Sequence, residues 1–289
     1  MFVKAYAKIN LFLDVVGKRD DGYHDLRMVM LPLELHDSIN IEFLPFLHDS
    51  YVTCDHVDLQ GTKYNLIFTT IKTLREKYHF DKNFNITVHK EIPIKAGLGG
   101  GSSNAAATLK AFNHLLKLNM DEKTMNEIGL SLGADVPFCL YNKPALVEGI
   151  GEKITPIKLA HQYYVLIIKP KMGLSTKHVF EKADTMELAH ADVSNVIKAL
   201  EEGDDDLLAS SLFNSLEKPS IEMAPEVQAI KDMFIKDGLK MVLMSGSGSC
   251  VYALTKDMHT AHHLYHKYEK EEYEVYLTRT LKWTDLPLF

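Results

Sequence analysis

The chain has 289 residues, of which 46% are hydrophobic and 25% charged, a composition typical of one large globular domain or two smaller ones, and one that excludes disordered and fibrous proteins. Its net charge of -7 argues against a broad nucleic-acid surface, because such surfaces need clustered cations, so any anionic ligand must be held locally. An apolar run of the ~20 residues that a membrane span needs is absent, and three scattered cysteines favour reduced thiols, so we expect a cytoplasmic protein with no nucleic-acid or membrane partner.

The first predicted element is a strand over residues 3–15, where every odd position is apolar and the even positions include Lys8 and Asn10. A period of two indicates a strand with one buried face. We expect Lys8 and Asn10 to project from the polar face, opposite the core and about 7 Å apart. Turn-forming residues at 17–24 then precede strand-like runs at 26–35 and 38–44, which predicts a set of hairpins.

Helices and strands follow one another along the rest of the chain without an internal repeat. Apolar spacing predicts helices at 65–78, after residue 101, and at 122–132, 176–183, 192–201, 225–237 and around 259–266. It predicts strands at 84–89, 164–169, 239–244 and 274–279, and another strand that ends at residue 254. Hairpins followed by helices favour an α+β fold over a doubly wound parallel sheet. A boundary near 156–161 divides the chain into predicted domains 1–157 and 158–289.

Glycine-rich residues 97–101 lead directly into a predicted helix, for which Ser102, Ser103 and Asn104 are cap candidates. A helix start has unpaired N–H groups and a partial positive charge, and glycines let the backbone approach a phosphate closely. The loop is not a P-loop, because Gly101 stands where that motif has Lys, nor a dinucleotide-binding loop, because Ser102 stands at its last glycine. The pattern favours another kind of phosphate-binding loop, with a flexible turn and helix cap as the alternative.

Six motifs follow one another between residues 5 and 249: AYAKINLFL (5–13), DGYHDL (21–26), GLGGGSSNAAA (97–107), GADVPF (133–138), EGIGE (148–152) and SGSGS (245–249). This set resembles the motifs of the GHMP kinases, the family of galactokinase and of homoserine, mevalonate and phosphomevalonate kinases. AKINL, GYH and ADVP are similar to a subgroup that phosphorylates the 2-hydroxyl of a cytidyl-diphosphate alcohol in non-mevalonate isoprenoid biosynthesis. The resemblance implies a two-domain α+β fold, N-terminal ribosomal-protein-S5-domain-2-like and C-terminal ferredoxin-like, with ATP, Mg²⁺ and the acceptor between the domains.

The resemblance implies that Asp135 and Lys8 are the catalytic residues. Asp135 is the candidate base for the acceptor hydroxyl, and Pro137 is expected to hold Val136 extended and so help direct the carboxylate. Lys8 would lie beside Asp135, keep it ionised and lower the pKa of the hydroxyl. From the residues alone, an aspartate that caps the next segment is the more common interpretation of Asp135, and a solvated side chain that of Lys8.

For ATP, the resemblance implies contacts along the glycine loop. Ser102 and Ser103 could supply a hydroxyl, with Ser103 the candidate contact to Mg²⁺, although helix capping alone would explain both residue types. Asn65 is a candidate contact to adenine or ribose, and an N-cap is an alternative of equal weight. The predicted ATP-binding residues are Asn65, Pro93, Ala96, Gly97, Leu98, Gly99, Gly100, Gly101, Ser102 and Ser103.

For the acceptor, GYH would offer Tyr23 as an aromatic face and His24 as a hydrogen-bonding group to cytosine, with Phe180 across the ring. Core packing is the alternative for Phe180, and a tight hairpin turn is the alternative for the SGSGS loop, whose glycines would otherwise approach the substrate phosphates or the glycine loop. Asn10 would orient the substrate, with an exposed Asn as its alternative. The predicted substrate-binding residues are Asn10, Tyr23, His24, Thr176, Phe180, Gly246 and Ser247.

Two other functions stay open. A homoserine- or mevalonate-type kinase of the same family lacks the AKINL and GYH combination, and a catalytically silent metabolite-binding regulator would not need both Lys8 and Asp135. A helical cluster could place imidazoles on one face for Zn²⁺ or Ni²⁺, but we interpret it as a solvated polar face. This cluster consists of His259, His262, His263 and His266. The sequence leaves both a monomer and a homodimer open.

Overall fold

The computed structural model describes residues 1–45, 49–56, 59, 65–271 and 273–281. Two sheets form its framework. The seven-stranded sheet contains β1 (Phe2–Lys18), β2 (His24–Phe43), β3 (Tyr51–Cys54), β4 (Phe84–His89), β5 (Ala145–Gly149), β6 (Lys153–Pro156) and β8 (Phe213–Asn214). The four-stranded sheet contains β7 (Tyr164–Lys169), β9 (Met241–Met244), β10 (Val251–Thr255) and β11 (Glu274–Arg279).

Helices connect and cover these strands, so the predicted α+β class is confirmed. Those of the first half are α1 (Leu66–Tyr78), α2 (Gly100–Leu116), α3 (Glu122–Leu132) and α4 (Val136–Tyr141). Those of the second half are α5 (Thr176–Ala183), α6 (Ser194–Glu202), α7 (Asp205–Ser211), α8 (Glu217–Met223), α9 (Glu226–Lys236) and α10 (Met258–Lys270). Among the described residues, no helix has the length and apolarity to span a bilayer.

The first sheet has the order β3-β4-β2-β1-β8, and β5 and β6 continue it from one end of β2. The predicted runs at 26–35 and 38–44 form one long strand, β2, because β1 pairs antiparallel with it from Phe2↔Asn40 to Lys18↔His24. β1 and β2 therefore make a single long hairpin instead of the expected set of hairpins. The β5–β6 hairpin around EGIGE was not among the predicted strands.

The prediction that β1 buries only one face is wrong. From Ala7 to Val15 every residue is buried, and Lys8 is 4% and Asn10 0% exposed. Register shifts interrupt its pairing with β2, so that Ala5 and Leu13 pack in one hydrophobic cluster while Ile9 packs in another. A β-bulge rotates the side chains that follow it, which breaks the simple alternation. Lys8, Asn10 and Asp14 therefore lie inside the molecule.

The second hydrophobic cluster joins the two sheets. It combines Ile9 of β1 with Val165 of β7 and Leu243 of β9. The hydroxyl of Tyr252 donates to the backbone oxygen of Asn10 at 2.7 Å, which adds a buried link. The first-sheet strand β6 ends at Pro156 and β7 begins the second sheet, but β8 returns to pair with β1. The division into 1–157 and 158–289 stays a prediction.

Two local predictions need correction, and the interpretation of the histidine cluster as a solvated polar face agrees with the structure. α2 begins at Gly100, with Gly99 as N-cap at φ 70°, so Ser102, Ser103 and Asn104 lie inside the helix instead of capping it. α4 begins at Val136, so Pro137 stands in its first turn and does not hold the preceding residue extended. Proline fits there because the first helical N–H groups have no partner within the helix. The histidine cluster lies on α10, and all four side chains are exposed.

Candidate active site

A cavity of about 510 Å³ lies where β1, the glycine loop (97–101) and the starts of α2, α4 and α5 meet. All predicted site residues line it except Tyr23, His24 and Ser103. Ser103 is buried, whereas the hydroxyl-bearing neighbour Ser102 reaches the cavity wall. The sequence motifs from both halves of the chain therefore converge on one space.

The glycine loop is held against β1. The backbone N–H of Lys8 donates to the oxygen of Leu98 at 3.0 Å, and a Cβ on Gly99 would approach Cγ of Lys8 to 2.9 Å. Gly99 precedes α2 in a left-handed conformation and supplies no capping side chain. The first N–H groups of α2 therefore face the cavity beside a lysine, and a helix start of this kind binds anions.

The SGSGS loop (245–249) closes the other side of the glycine loop. Ser245 donates from Oγ to the oxygen of Gly97 at 3.0 Å, and a Cβ on Gly97 would overlap the oxygen of Ser245. Asn214 of β8 donates both amide hydrogens, to Met244 at 2.9 Å and to Gly246 at 2.8 Å. The two glycine-containing loops therefore support each other, and Asn214 of β8 links the SGSGS loop to the first sheet.

Lys8 and Asp135 meet in the cavity. Nζ of Lys8 lies 3.4 Å from Oδ2 of Asp135 and donates to Oδ1 of Asn10 at 2.8 Å. The Lys8 side chain is 5% exposed and that of Asp135 31% exposed, so the ammonium is enclosed while the carboxylate remains accessible. Among the described groups, Nδ2 of Asn10 is buried without a hydrogen-bond partner. A buried donor without a partner is costly, so it indicates a missing acceptor.

Asp135 occupies the N-cap position of α4, yet its side chain makes no capping hydrogen bond. The carboxylate therefore pairs with Lys8 instead of capping the helix, and its role as the base stays a prediction. Close backbone packing fixes its position. A Cβ on Gly151 would overlap the oxygen of Ala134, and one on Gly129 of α3 would lie 2.9 Å from Cδ1 of Leu140.

A second lysine lies behind the glycine loop. Lys90 pairs with the carboxylate of Asp37 and donates to Oδ1 of Asn104 at 3.3 Å. Asp37 is fully buried and also accepts the N–H groups of Glu91 and Ile92, both at 2.9 Å. This network anchors the chain that leads into the loop. The sequence offered no signal for it, because Asp37 lies in a distant strand.

His24 and Phe180 meet next to the cavity. Their rings stack with centroids 4.8 Å apart, and Nε2 of His24 lies 2.7 Å from Oδ1 of Asp184. Lys18 contacts the other oxygen of Asp184 at 2.6 Å. These two partners, Lys18 first, lower the pKa of the Asp184 carboxyl below its ordinary value. Tyr23 is 57% exposed, so the ring across from Phe180 is that of His24.

Apolar residues that the sequence analysis missed line the cavity at both ends. Cys54, Leu66 and Val88 lie on the side of β3, β4 and α1, where burial raises the pKa of the Cys54 thiol. Asn65 also lies on this side and caps α1, accepting from the N–H of Ile67 at 3.0 Å. Four others line the side of β1, β2 and Phe180: Leu13, Leu26, Met28 and Leu216. A sequence pattern identifies such apolar residues as buried, but it does not show which of them line a cavity.

Both halves of the chain match known protein domains. Residues 65–143 match the model of the GHMP kinase N-terminal domain, and residues 196–275 that of the C-terminal domain. A 4-diphosphocytidyl-2-C-methyl-D-erythritol kinase of Clostridium botulinum is 38% identical over 97% of this chain and 100% of its own. An enzyme of the same name from Lachnoclostridium phytofermentans is 39% identical over 96% of each chain.

Solved structures agree with this grouping. A 4-(cytidine 5'-diphospho)-2C-methyl-D-erythritol kinase superimposes with a TM-score of 0.80 at 28% identity, over 98% of this chain and 100% of its own. The mevalonate kinase of Methanococcus jannaschii gives a TM-score of 0.70 at 17% identity over 98% of both chains, which shows the shared fold alone. The two domain matches and these relatives show that the chain, with its glycine loop and its lysine–aspartate pair, belongs to the GHMP kinase family of ATP-dependent small-molecule kinases.

Proposed function

We propose that this kinase transfers the γ-phosphate of ATP to the 2-hydroxyl of 4-diphosphocytidyl-2-C-methyl-D-erythritol, giving the 2-phosphate and ADP in the non-mevalonate route to isoprenoids. The observation that carries the proposal is the Lys8–Asp135 pair, 3.4 Å apart beside the start of α2. The names of the relatives supply the identity of the acceptor.

Asp135 takes the acceptor proton in this proposal. Its carboxylate is accessible from the cavity and is held by Lys8, not by the helix that it precedes. As the hydroxyl oxygen bonds to the γ-phosphorus and the bond to ADP breaks, the hydroxyl proton passes to Asp135. The Lys8 ammonium favours the ionised carboxylate and stabilises negative charge on the attacking oxygen. Asn10 offers its unpaired amide hydrogen to the same substrate.

ATP would lie across the glycine loop. Its phosphates would accept hydrogen bonds from the first N–H groups of α2, where the helix dipole favours negative charge. Asn65 and the apolar residues on the side of α1 and β4 would then take the nucleoside, since a base needs apolar walls. In a protein of net charge -7, this local arrangement concentrates the cations where the triphosphate binds.

The residues present fit a Mg²⁺ ion that arrives with ATP. Mg²⁺ usually keeps several waters and binds through substrate phosphates. The hydroxyl of Ser102, which lines the cavity at the start of α2, would hold it beside the ATP phosphates, and buried Ser103 is the less accessible candidate. Asp135 is then left free to act as the base. When bound, the ion would neutralise charge on the phosphates.

The cytidyl group would bind beside His24 and Phe180. Phe180 lines the cavity while its ring stacks on His24, so one aromatic face is already formed and His24 is held by Asp184. Tyr23 would close over the base from its exposed position. A base stacked on an aromatic ring gains ~1–3 kcal/mol, enough to select a cytidyl alcohol over a bare polyol.

The proposal includes a cytoplasmic enzyme with no nucleic-acid or membrane partner, acting as a monomer or homodimer. Three free, buried cysteines and the net negative charge support it. Light scattering after gel filtration would measure the oligomeric state.

The test is a coupled ADP-release assay with a panel of alcohols that contains the cytidyl substrate, homoserine and mevalonate. We expect turnover of the cytidyl substrate alone, with ³¹P NMR placing the new phosphate on the 2-hydroxyl. Turnover of homoserine or mevalonate instead would identify a different kinase of the family. Ligand binding without turnover of any alcohol would indicate the silent regulator, which the Lys8–Asp135 pair argues against.

A further inference from the structure

Three lysines line the cavity, and they differ in how their charge is compensated. Lys8 pairs with Asp135, and Lys90 pairs with Asp37. Lys95 lines the same cavity but has no hydrogen-bond or ion-pair partner among the residues that the structure describes. Its ammonium is therefore the cation of this set that remains available to a ligand.

The backbone of Lys95 is also unusual. Its φ of 55° lies in the left-handed region, where a glycine would fit without the steric cost that a side chain carries. The residue stands two positions before Gly97, in a segment that contains several glycines. Strained non-glycine residues are concentrated at ligand sites, so this conformation agrees with a binding role for the Lys95 side chain.

The position of Lys95 relates it to the acceptor side of the cavity. A Cβ on Gly173 would lie 3.0 Å from Cβ and 3.5 Å from Cδ of Lys95, so the lysine stem packs on the segment before α5. α5 begins at Thr176, whose hydroxyl lies 2.9 Å from that of Ser247, and Phe180 is one turn further on the same helix face. Lys95 thus packs on the segment that leads into the helix with the cytidyl-side residues.

We propose that Lys95 binds the diphosphate of the cytidyl substrate, an inference that rests on the function proposed above. That diphosphate connects a base beside Phe180 with an alcohol beside Lys8 and Asp135, so it must pass through the part of the cavity between them. Lys95 lines this cavity with its stem packed on the segment before α5, so its unpaired ammonium would supply a charge-assisted hydrogen bond to a phosphate oxygen. Lysine suits this task as a compact charge on a flexible stem.

The test compares Lys95→Gln and Lys95→Arg with a matched control, Lys117→Gln. Lys117 is another exposed lysine with a left-handed backbone, φ 53°, but it caps the far end of α2 outside the cavity. We expect Lys95→Gln to raise KM for the cytidyl substrate about tenfold, the size of one charge-assisted hydrogen bond, with kcat and KM for ATP unchanged. Lys95→Arg should retain most of the affinity, and Lys117→Gln should behave as wild type.

Inhibition by CDP and by cytidine separates phosphate binding from a general effect on the site. Lys95→Gln should weaken inhibition by CDP about tenfold and leave inhibition by cytidine unchanged, because only CDP carries the diphosphate. Equal losses for both inhibitors, a rise in KM for ATP alone, or no change at all would each overturn the assignment of Lys95. A wild-type enzyme without activity on the cytidyl substrate would overturn the proposed function and this inference together, whereas an active wild type with an unaffected Lys95→Gln variant overturns the inference alone.

Discussion

Asp135 lies 3.4 Å from the ammonium of Lys8, at a helix N-cap position where its carboxylate makes no capping bond. Asp135→Asn should therefore keep ATP and cytidyl-ligand binding while kcat falls by ~10²–10⁴, the usual contribution of a general base. Steady-state kinetics with isothermal titration would measure both. Asp121→Asn is the matched control, because Asp121 does cap its helix, accepting from Thr124 at 2.8 Å. An unchanged kcat for Asp135→Asn would reject the base assignment.

The Tyr23 side chain is exposed, whereas His24 and Phe180 are already stacked. Tyr23→Ala should raise KM for the cytidyl substrate by a factor that corresponds to ~1–3 kcal/mol of lost stacking, and change KM for ATP far less. Initial rates with each substrate varied in turn provide the measurement. Tyr51→Ala removes a tyrosine of similar exposure on β3 and should change neither KM. Equal effects of Tyr23→Ala on both substrates would contradict the stacking role.

Local sequence signals predicted many elements to the residue. α3 (Glu122–Leu132), β4, β7 and β11 have the predicted bounds. α3 and β4 have a clear period, and β7 is a short apolar run of the length of a strand. The ordered motifs also indicated which residues would meet, and the structure brings Lys8, Asp135 and the glycine loop together.

Features that depend on distant packing could not be predicted in this way. Lys8 and Asn10 were expected on a solvated face, but the two glycine-containing loops cover that side of β1 and bury both. A Cβ on Gly99 would lie 2.9 Å from Cγ of Lys8, and one on Gly246 would lie 3.3 Å from Nζ of Lys8 and 3.5 Å from Oδ1 of Asn10. The Asp37–Lys90 pair joins strands whose proximity no local pattern reveals. The sequence gives no indication of the contact between Asp184 and His24 either. Asp184 directly follows a predicted helix, and its partner lies far away in the β1–β2 hairpin.

Gly97 provides a test of how the two glycine-containing loops support each other. Gly97→Ala should destabilise the fold and weaken ATP binding, because its Cβ would overlap the oxygen of Ser245 in addition to the left-handed strain at φ 73°. Gly238 has a similar φ of 86° with no atom within 4 Å, so Gly238→Ala should cost only the ~1–2 kcal/mol of that backbone strain. Urea unfolding of both variants measures the difference. Equal losses of stability would show that the close contact at Gly97 is unimportant.

Asp184 is expected to make the stability of the fold depend on pH in acid. Lys18 and His24 lower the pKa of its carboxyl below the ordinary 3.8, so the folded state favours the ionised form. The stabilisation is fully present above the unfolded-state pKa and is lost as pH falls through the lower folded-state pKa. The difference in unfolding free energy between wild type and Asp184→Asn should therefore be constant near neutral pH and shrink in acid below about pH 4.

The same variant should raise KM for the cytidyl substrate without lowering kcat, because His24 would lose the carboxylate that orients its ring. Urea titrations between pH 3 and 7, with kinetics at neutral pH, test both effects. Asp192→Asn is the control, since Asp192 also has a lowered pKa but, among the residues that the structure describes, hydrogen-bonds only to Ser194 at the start of α6. It should show the acid dependence and leave KM unchanged. If Asp184→Asn lost stability in this way but kept the wild-type KM, Asp184 would be a structural residue with no part in orienting His24.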